Sequence, residues 1–60
     1  MKWSEMVHIV DEKGWLFERH GKRHDIYRNP ISGERLLIER HWNQEVKSKL
    51  YKKLKKQIGF

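Results

Sequence analysis

Three turn signals cut the middle of this chain into short pieces. Gly14, Gly21 and the run Asn29-Pro30-Ile31-Ser32-Gly33 supply residue types that enter tight turns at low cost. Trp15-Leu16-Phe17 and Ile26-Tyr27 lie between them. Aromatic and β-branched residues of this kind fit a pleated surface. The middle of the chain therefore reads as strands joined by short turns. Alternation sets Trp15, Phe17 and Arg19 on one face of the first strand, with Leu16, Glu18 and His20 on the other. In a second strand, 24–28, His24, Ile26 and Arg28 share one face and Asp25 and Tyr27 the opposite one. A third strand, 34–40, is built around Leu36, Leu37 and Ile38.

Helical patterns flank this middle. Ser4 is placed to cap a first helix, with Glu5 in its first turn. Met6, Val7, Ile9 and Val10 form its apolar stripe, so the helix is expected over about 5–13, ended by Gly14. Val46, Leu50, Leu54 and Ile58 recur at i+4 spacing and define a last helix. Asn43 and Ser48 are both candidates to cap it, Gly59 stops it, and Phe60 is placed to fold back on the core. Both helices have one apolar face to bury. The economical solution is an α+β fold, a three-stranded antiparallel sheet with two helices packed on one face. That α-β-β-β-α order is the dsRBD-like layout, and it leaves the other sheet face free. No internal repeat, linker or low-complexity segment interrupts it.

Sixty residues make one domain, 1–60, with a small core. The absence of cysteine excludes disulfides and thiolate metal sites. No apolar run approaches the ~20 residues that cross a bilayer, and the first residues lack the apolar segment of a signal peptide. A protein without membrane contact, working in the cytoplasm, is the expectation. The net charge of +6 is unevenly placed. Lys2 and Lys13 against Glu5, Asp11, Glu12 and Glu18 give residues 1–18 a net −2. The other twelve cations against Asp25, Glu34, Glu39 and Glu45 give 19–60 a net +8. Such a field favours polyanions, nucleic acid first and an acidic protein second. A solvated lysine-rich surface carries the same charge, so charge alone does not decide.

Chemistry concentrates in Gly21-Lys22-Arg23-His24-Asp25-Ile26-Tyr27-Arg28-Asn29-Pro30. A neutral imidazole takes a proton near pH 7, and adjacent cations hold a phosphate. His24 among Lys22, Arg23 and Arg28 is the minimum equipment for cutting RNA without a metal. In that role His24 removes a 2′-hydroxyl proton, leaving a 2′,3′-cyclic phosphate and a 5′-hydroxyl end. Otherwise it is a strand histidine with one hydrogen bond, and the cations are a solvated hairpin tip. Arg28 is favoured among the cations because it shares the face of His24, whereas Tyr27 points toward the core. Arg40 and His41 end the third strand. They either bind phosphate, with His41 donating a proton to the leaving oxygen, or cap nearby carbonyls. Six lysines lie between 47 and 56 with no acid among them. Lys49, Lys52, Lys53 and Lys56 of that set are candidates to track an RNA backbone, which sets affinity and not sequence choice. Trp42 is the tryptophan expected at the surface and able to stack on a base, Trp15 the one expected in the core, and Trp3 open to either use. His20 and His24 have a spacing that binds zinc on a helix, but a turn separates them here and no carboxylates converge, so no metal and no cofactor is expected. Ser4, Ser32 and Ser48 lack the context of a catalytic nucleophile.

These residues resemble a known family. The Ser4-Glu5 helix, Gly14-Trp15, the central Lys22 to Pro30 run, Arg40-His41, and Leu50, Leu54, Lys56-Gln57 and Ile58-Gly59 are similar, end to end, to HicA-type toxins. The most specific part is His24-x-Ile26-Tyr27-Arg28-Asn29-Pro30. Many members have Gly-Ser-His where this chain has Lys22-Arg23-His24, and often a proline where it has Glu39. The resemblance implies a dsRBD-like fold and an mRNA interferase, an endoribonuclease with His24 as its catalytic histidine. It also implies inhibition by a HicB-type antitoxin, and an acidic one would suit the basic surface. Two other classes fit the same pattern: a non-catalytic module that reads double-stranded RNA by shape, and an interaction domain whose charge serves solubility.

Overall fold

A computed structural model describes all 60 residues. The elements are α1 (Trp3–Glu12), β1 (Leu16–His20), β2 (His24–Arg28), β3 (Arg35–Glu39) and α2 (Ser48–Ile58). The strands form one antiparallel sheet in the order β1-β2-β3. Trp3, Met6 and Val10 of α1, Trp15, Leu36 and Ile38 of β3, Val46, and Leu54 and Ile58 of α2 make the core. Both helices therefore cover one sheet face, and the expected α+β, α-β-β-β-α architecture is the observed one.

The first helix starts earlier than its cap signal indicates. Ser4 does not cap it but lies in its first turn, where its amide donates to the Trp42 carbonyl at 3.1 Å. The Trp3 amide donates to Gln44 O at 3.0 Å. Amides of a first turn have no partner inside the helix, and here the 42–44 loop supplies carbonyls from elsewhere in the chain. Burial of Trp3 in register with Met6 and Val10 extends the apolar stripe back to the helix start. Gly14, at φ +87, ends the helix as expected.

In β1 the expected alternation fails. Phe17 stands opposite Tyr27, yet Arg19 stands opposite Ile26 and His20 opposite Asp25, with an irregularity between Phe17 and Arg19. One extra residue on one strand shifts everything after it to the other face. Phe17 and His20 thus share the helix side, their rings 4.9 Å apart, and Arg19 joins the open face. β2 keeps the predicted faces. The Asn29–Gly33 turn closes as read: Asn29 Oδ1 accepts from the Ile31 and Ser32 amides at 2.8 and 3.1 Å.

The last helix begins at Ser48 with Lys47 before it and no side-chain cap, so neither Asn43 nor Ser48 caps it. Val46 lies outside the helix. It is buried from an extended segment in which Lys2 bridges Glu45 and the Val46 amide donates to Met1 O at 2.8 Å. Gly59 ends the helix in the left-handed region at φ 90. Phe60 folds back against the core, its ring edge-on to Tyr51.

Candidate active site

His24 opens β2, directly across from Glu39 of β3. The Asn29 amide bonds Glu34 O, so alternation along the antiparallel ladder makes His24 and Glu39 a non-hydrogen-bonded pair, the kind with the closer side chains. Their side chains meet on the open face, His24 Nε2 4.0 Å from Glu39 Oε1. That is too long for a hydrogen bond, so the nitrogen is not committed. The ring is 37% exposed. The turn before it is tight: the Gly21 amide donates to His24 O at 2.7 Å. A Cβ at Gly21 would fall 2.9 Å from that same oxygen, so the close approach requires glycine.

His24 lines two hollows. A groove of about 340 Å³ runs between β3 and α2, past Arg35, Leu37, Glu39, Lys53 and Gln57. A shallower one of about 270 Å³ lies over Gly21, Lys22, Arg23, Ile26 and Leu37. The structure thus brings His24 together with Lys22, Arg23 and Lys53, none of which has an ion-pair partner in the chain. Leu37, 56% exposed, adds an apolar floor between the two hollows.

Other residues singled out in the sequence lie elsewhere. Arg28 is on the face of His24 but four residues on, ~13 Å along the strand, and its Nε is 3.5 Å from Glu18 Oε1. Glu18 also accepts from Arg35 Nε with both oxygens, at 3.0 and 3.3 Å. The Arg35 hydrogen bond holds the Glu18 carboxyl below its ordinary range. The far end of the open face is therefore partly neutralised, and the free positive charge sits at the His24 end. Arg40 is tied down: Nη2 donates to Gly21 O and Lys22 O at 3.1 Å each, which fastens the turn before His24 to the end of β3. His41 and Trp42 are exposed beyond β3, and Lys49, Lys52 and Lys56 are exposed on α2. Trp3 and Trp15 are in the core. Tyr27 packs against the core, and burial pushes its hydroxyl pKa upward.

Sequence reasoning missed one cluster. Asp25 is 5% exposed, and its Oδ1 lies 2.7 Å from His20 Nδ1 and 3.7 Å from Arg40 Nη1. Without the β1 irregularity, His20 would face away from Asp25. The available signal was Asp25 itself, a charged residue on the same side of its strand as Tyr27, where burial demands a partner. His20 and His24 project from opposite faces of the hairpin, so their spacing does not converge on one point.

No helix is long and apolar enough to cross a membrane. A family model described as the HicA toxin of bacterial toxin-antitoxin matches residues 3–60. No curated protein and no solved structure matches the chain.

Proposed function

Because this chain belongs to the HicA toxin family, the toxin side of bacterial toxin–antitoxin systems, we propose that it is an endoribonuclease that cleaves mRNA in the cytoplasm with His24 as general base. The observation that carries this reading is the placement of a half-exposed, uncommitted imidazole between three unpaired cations, Lys22, Arg23 and Lys53. His24 Nε2 takes the proton of a ribose 2′-hydroxyl. The freed oxygen bonds to the adjacent phosphorus, the bond to the 5′-oxygen breaks, that oxygen takes a proton from water, and a 2′,3′-cyclic phosphate and a 5′-hydroxyl end result. Charge grows on the phosphoryl oxygens along this path, and Lys22 and Arg23 stand where it can be met. Lys53 opens onto the groove beside His24, and Lys49, Lys52 and Lys56 extend the positive surface along α2. Arg28, Arg40 and His41 are secondary phosphate contacts in this scheme. Each step uses a proton acceptor and fixed cations of the chain itself, with no metal or cofactor.

Membership in a toxin–antitoxin family supplies the second partner, an antitoxin. We assign it an acidic, HicB-type surface covering His24 and its cations. Charge complementarity would make that association fast and salt-sensitive. Labelled RNA incubated with the protein in EDTA should yield fragments ending in cyclic phosphate. His24→Ala should lower cleavage by at least ~10²-fold and leave RNA affinity within a few-fold. Full activity in that variant would remove His24 from the mechanism. RNA binding without fragments from the unaltered protein would instead assign a non-catalytic double-stranded-RNA-binding module on the same fold.

A further inference from the structure

On the sheet face that no helix covers, one apolar side chain is buried all the same. Ile26 is 8% exposed and lies outside the core cluster under the helices. It stands opposite Leu37 of β3 and Arg19 of β1. Alternation from the Asn29–Glu34 hydrogen bond makes Ile26 and Leu37 a non-hydrogen-bonded pair, like His24 and Glu39, so their side chains lie close. Together they floor the hollow of about 270 Å³ that His24 shares with the 21–23 turn. Gly21 adds no side chain to it, and a Cβ there would already touch Ile26 Cδ1, at 3.5 Å. Lys22 and Arg23 line the hollow and Arg19 stands beside Ile26. All three are exposed and without an ion-pair partner in the chain. No carboxylate lines the hollow.

An apolar floor beside free cations suits a ligand that is flat and apolar in one part and anionic in the next. A nucleotide is such a ligand, since its base offers an apolar face and its phosphate a negative charge. An apolar protein side chain would fill the floor and leave the three cations unmatched. We infer that the Ile26–Leu37 hollow is a base-binding subsite, in which a base flanking the scissile bond packs on Leu37 while Lys22 and Arg23 hold its phosphate; this rests on the function proposed above. The ribose between base and phosphate is thereby held at His24, which lines the same hollow. Every base has such a face, so the subsite accepts any base. It does not accept a paired one, because in a duplex both faces are covered by stacked neighbours and must first be freed. The substrate is therefore RNA that is single-stranded at the cut.

The probe is an RNA oligonucleotide spanning a mapped cleavage site. It is used intact, annealed to its complement, or made abasic on one or the other side of the scissile bond. The unaltered protein should cut the duplex about 10²-fold more slowly than the single strand. Leu37 is 56% exposed and outside the core, and Leu37→Thr keeps a residue suited to a strand. This variant should lose about tenfold or more in kcat/KM on the intact strand. On one of the two abasic strands the unaltered protein should show the same loss, and Leu37→Thr should then match it within a few-fold. Ile31→Ser removes an exposed apolar side chain from the far end of β2 and should change none of these rates. Equal loss in Leu37→Thr on the intact and both abasic strands overturns the subsite alone. So does no loss on any strand, which would leave the hollow to a protein side chain. Cutting of the duplex as fast as the single strand overturns the subsite without recourse to any variant. Failure of the unaltered protein to cut any of these RNAs overturns the ribonuclease reading, and the subsite with it.

Discussion

Glu18 bonds Arg35 through both its oxygens and also faces Arg28, so one carboxylate gathers two cations on the open sheet face. Its pKa lies below the ordinary 4.5, first because of the Arg35 hydrogen bond. A carboxyl with a depressed folded-state pKa stabilises the fold above its unfolded value, and that contribution disappears as pH falls through the folded value. Glu18→Gln should therefore unfold at lower urea than the unaltered protein at neutral pH. The gap should be constant above about pH 5 and close as pH drops below 4.5, followed by urea midpoints across pH. An unchanged gap at pH 3 would show that the difference has another source. At this scale the sequence was partly legible. His24 and its neighbouring cations could be picked out because imidazole and guanidinium chemistry belongs to single residues. The Glu18–Arg35 and His20–Asp25 pairs could not, because each joins residues of different strands, and the second also needs the β1 irregularity to bring His20 to the side of Asp25.

Among the elements, α2 shows most directly what periodicity predicts. Leu54 and Ile58 are buried and Leu50 is half-buried, while the lysines between them face solvent. Leu54 is 3% exposed in a core of nine buried residues. Leu54→Ala should cost about 2–5 kcal/mol, against a total of about 3–9 kcal/mol for a domain this long. Urea denaturation should find the variant largely unfolded or close to it. Ile31→Ser is the control: Ile31 is 95% exposed in the β2–β3 turn, and its replacement should move stability by under about 0.5 kcal/mol. A small effect of Leu54→Ala would mean that α2 is not seated on the sheet. The helix starts, by contrast, depart from the capping signals at Ser4, Asn43 and Ser48, since Lys2 and Lys47 precede the two helices. A capping signal assumes that a helix satisfies its own first amides, whereas α1 takes carbonyls from residues 42–44. Val46 fits the α2 period but enters the core from an extended segment, because a buried position can be filled from outside the helix that its spacing matches.

The whole molecule has a Cα radius of gyration of 10.6 Å, about the ~10.4 Å expected of a folded chain this long, and of its lysines Lys22 and Lys53 line the hollows that His24 shares. If α2 tracks a single RNA strand, each phosphate contact adds roughly 0.7 to the slope of log affinity against log salt. Lys53→Ala should then reduce that slope by about 0.7 and weaken binding equally across RNA sequences, since phosphates carry no base information. Filter binding at several salt concentrations measures it, and an unchanged slope would take Lys53 off the RNA path. The sequence alone determined the order of elements, the two apolar helix faces and the basic half of the chain, because turn residues, side-chain period and charge are local properties. Tertiary structure alone decided which cations stand free beside His24 and which are tied up, that Arg40 fastens the turn, and that a buried Asp25 holds His20. Those outcomes depend on strand register and on one irregularity in β1, where a shift of a single residue exchanges the two faces of the sheet.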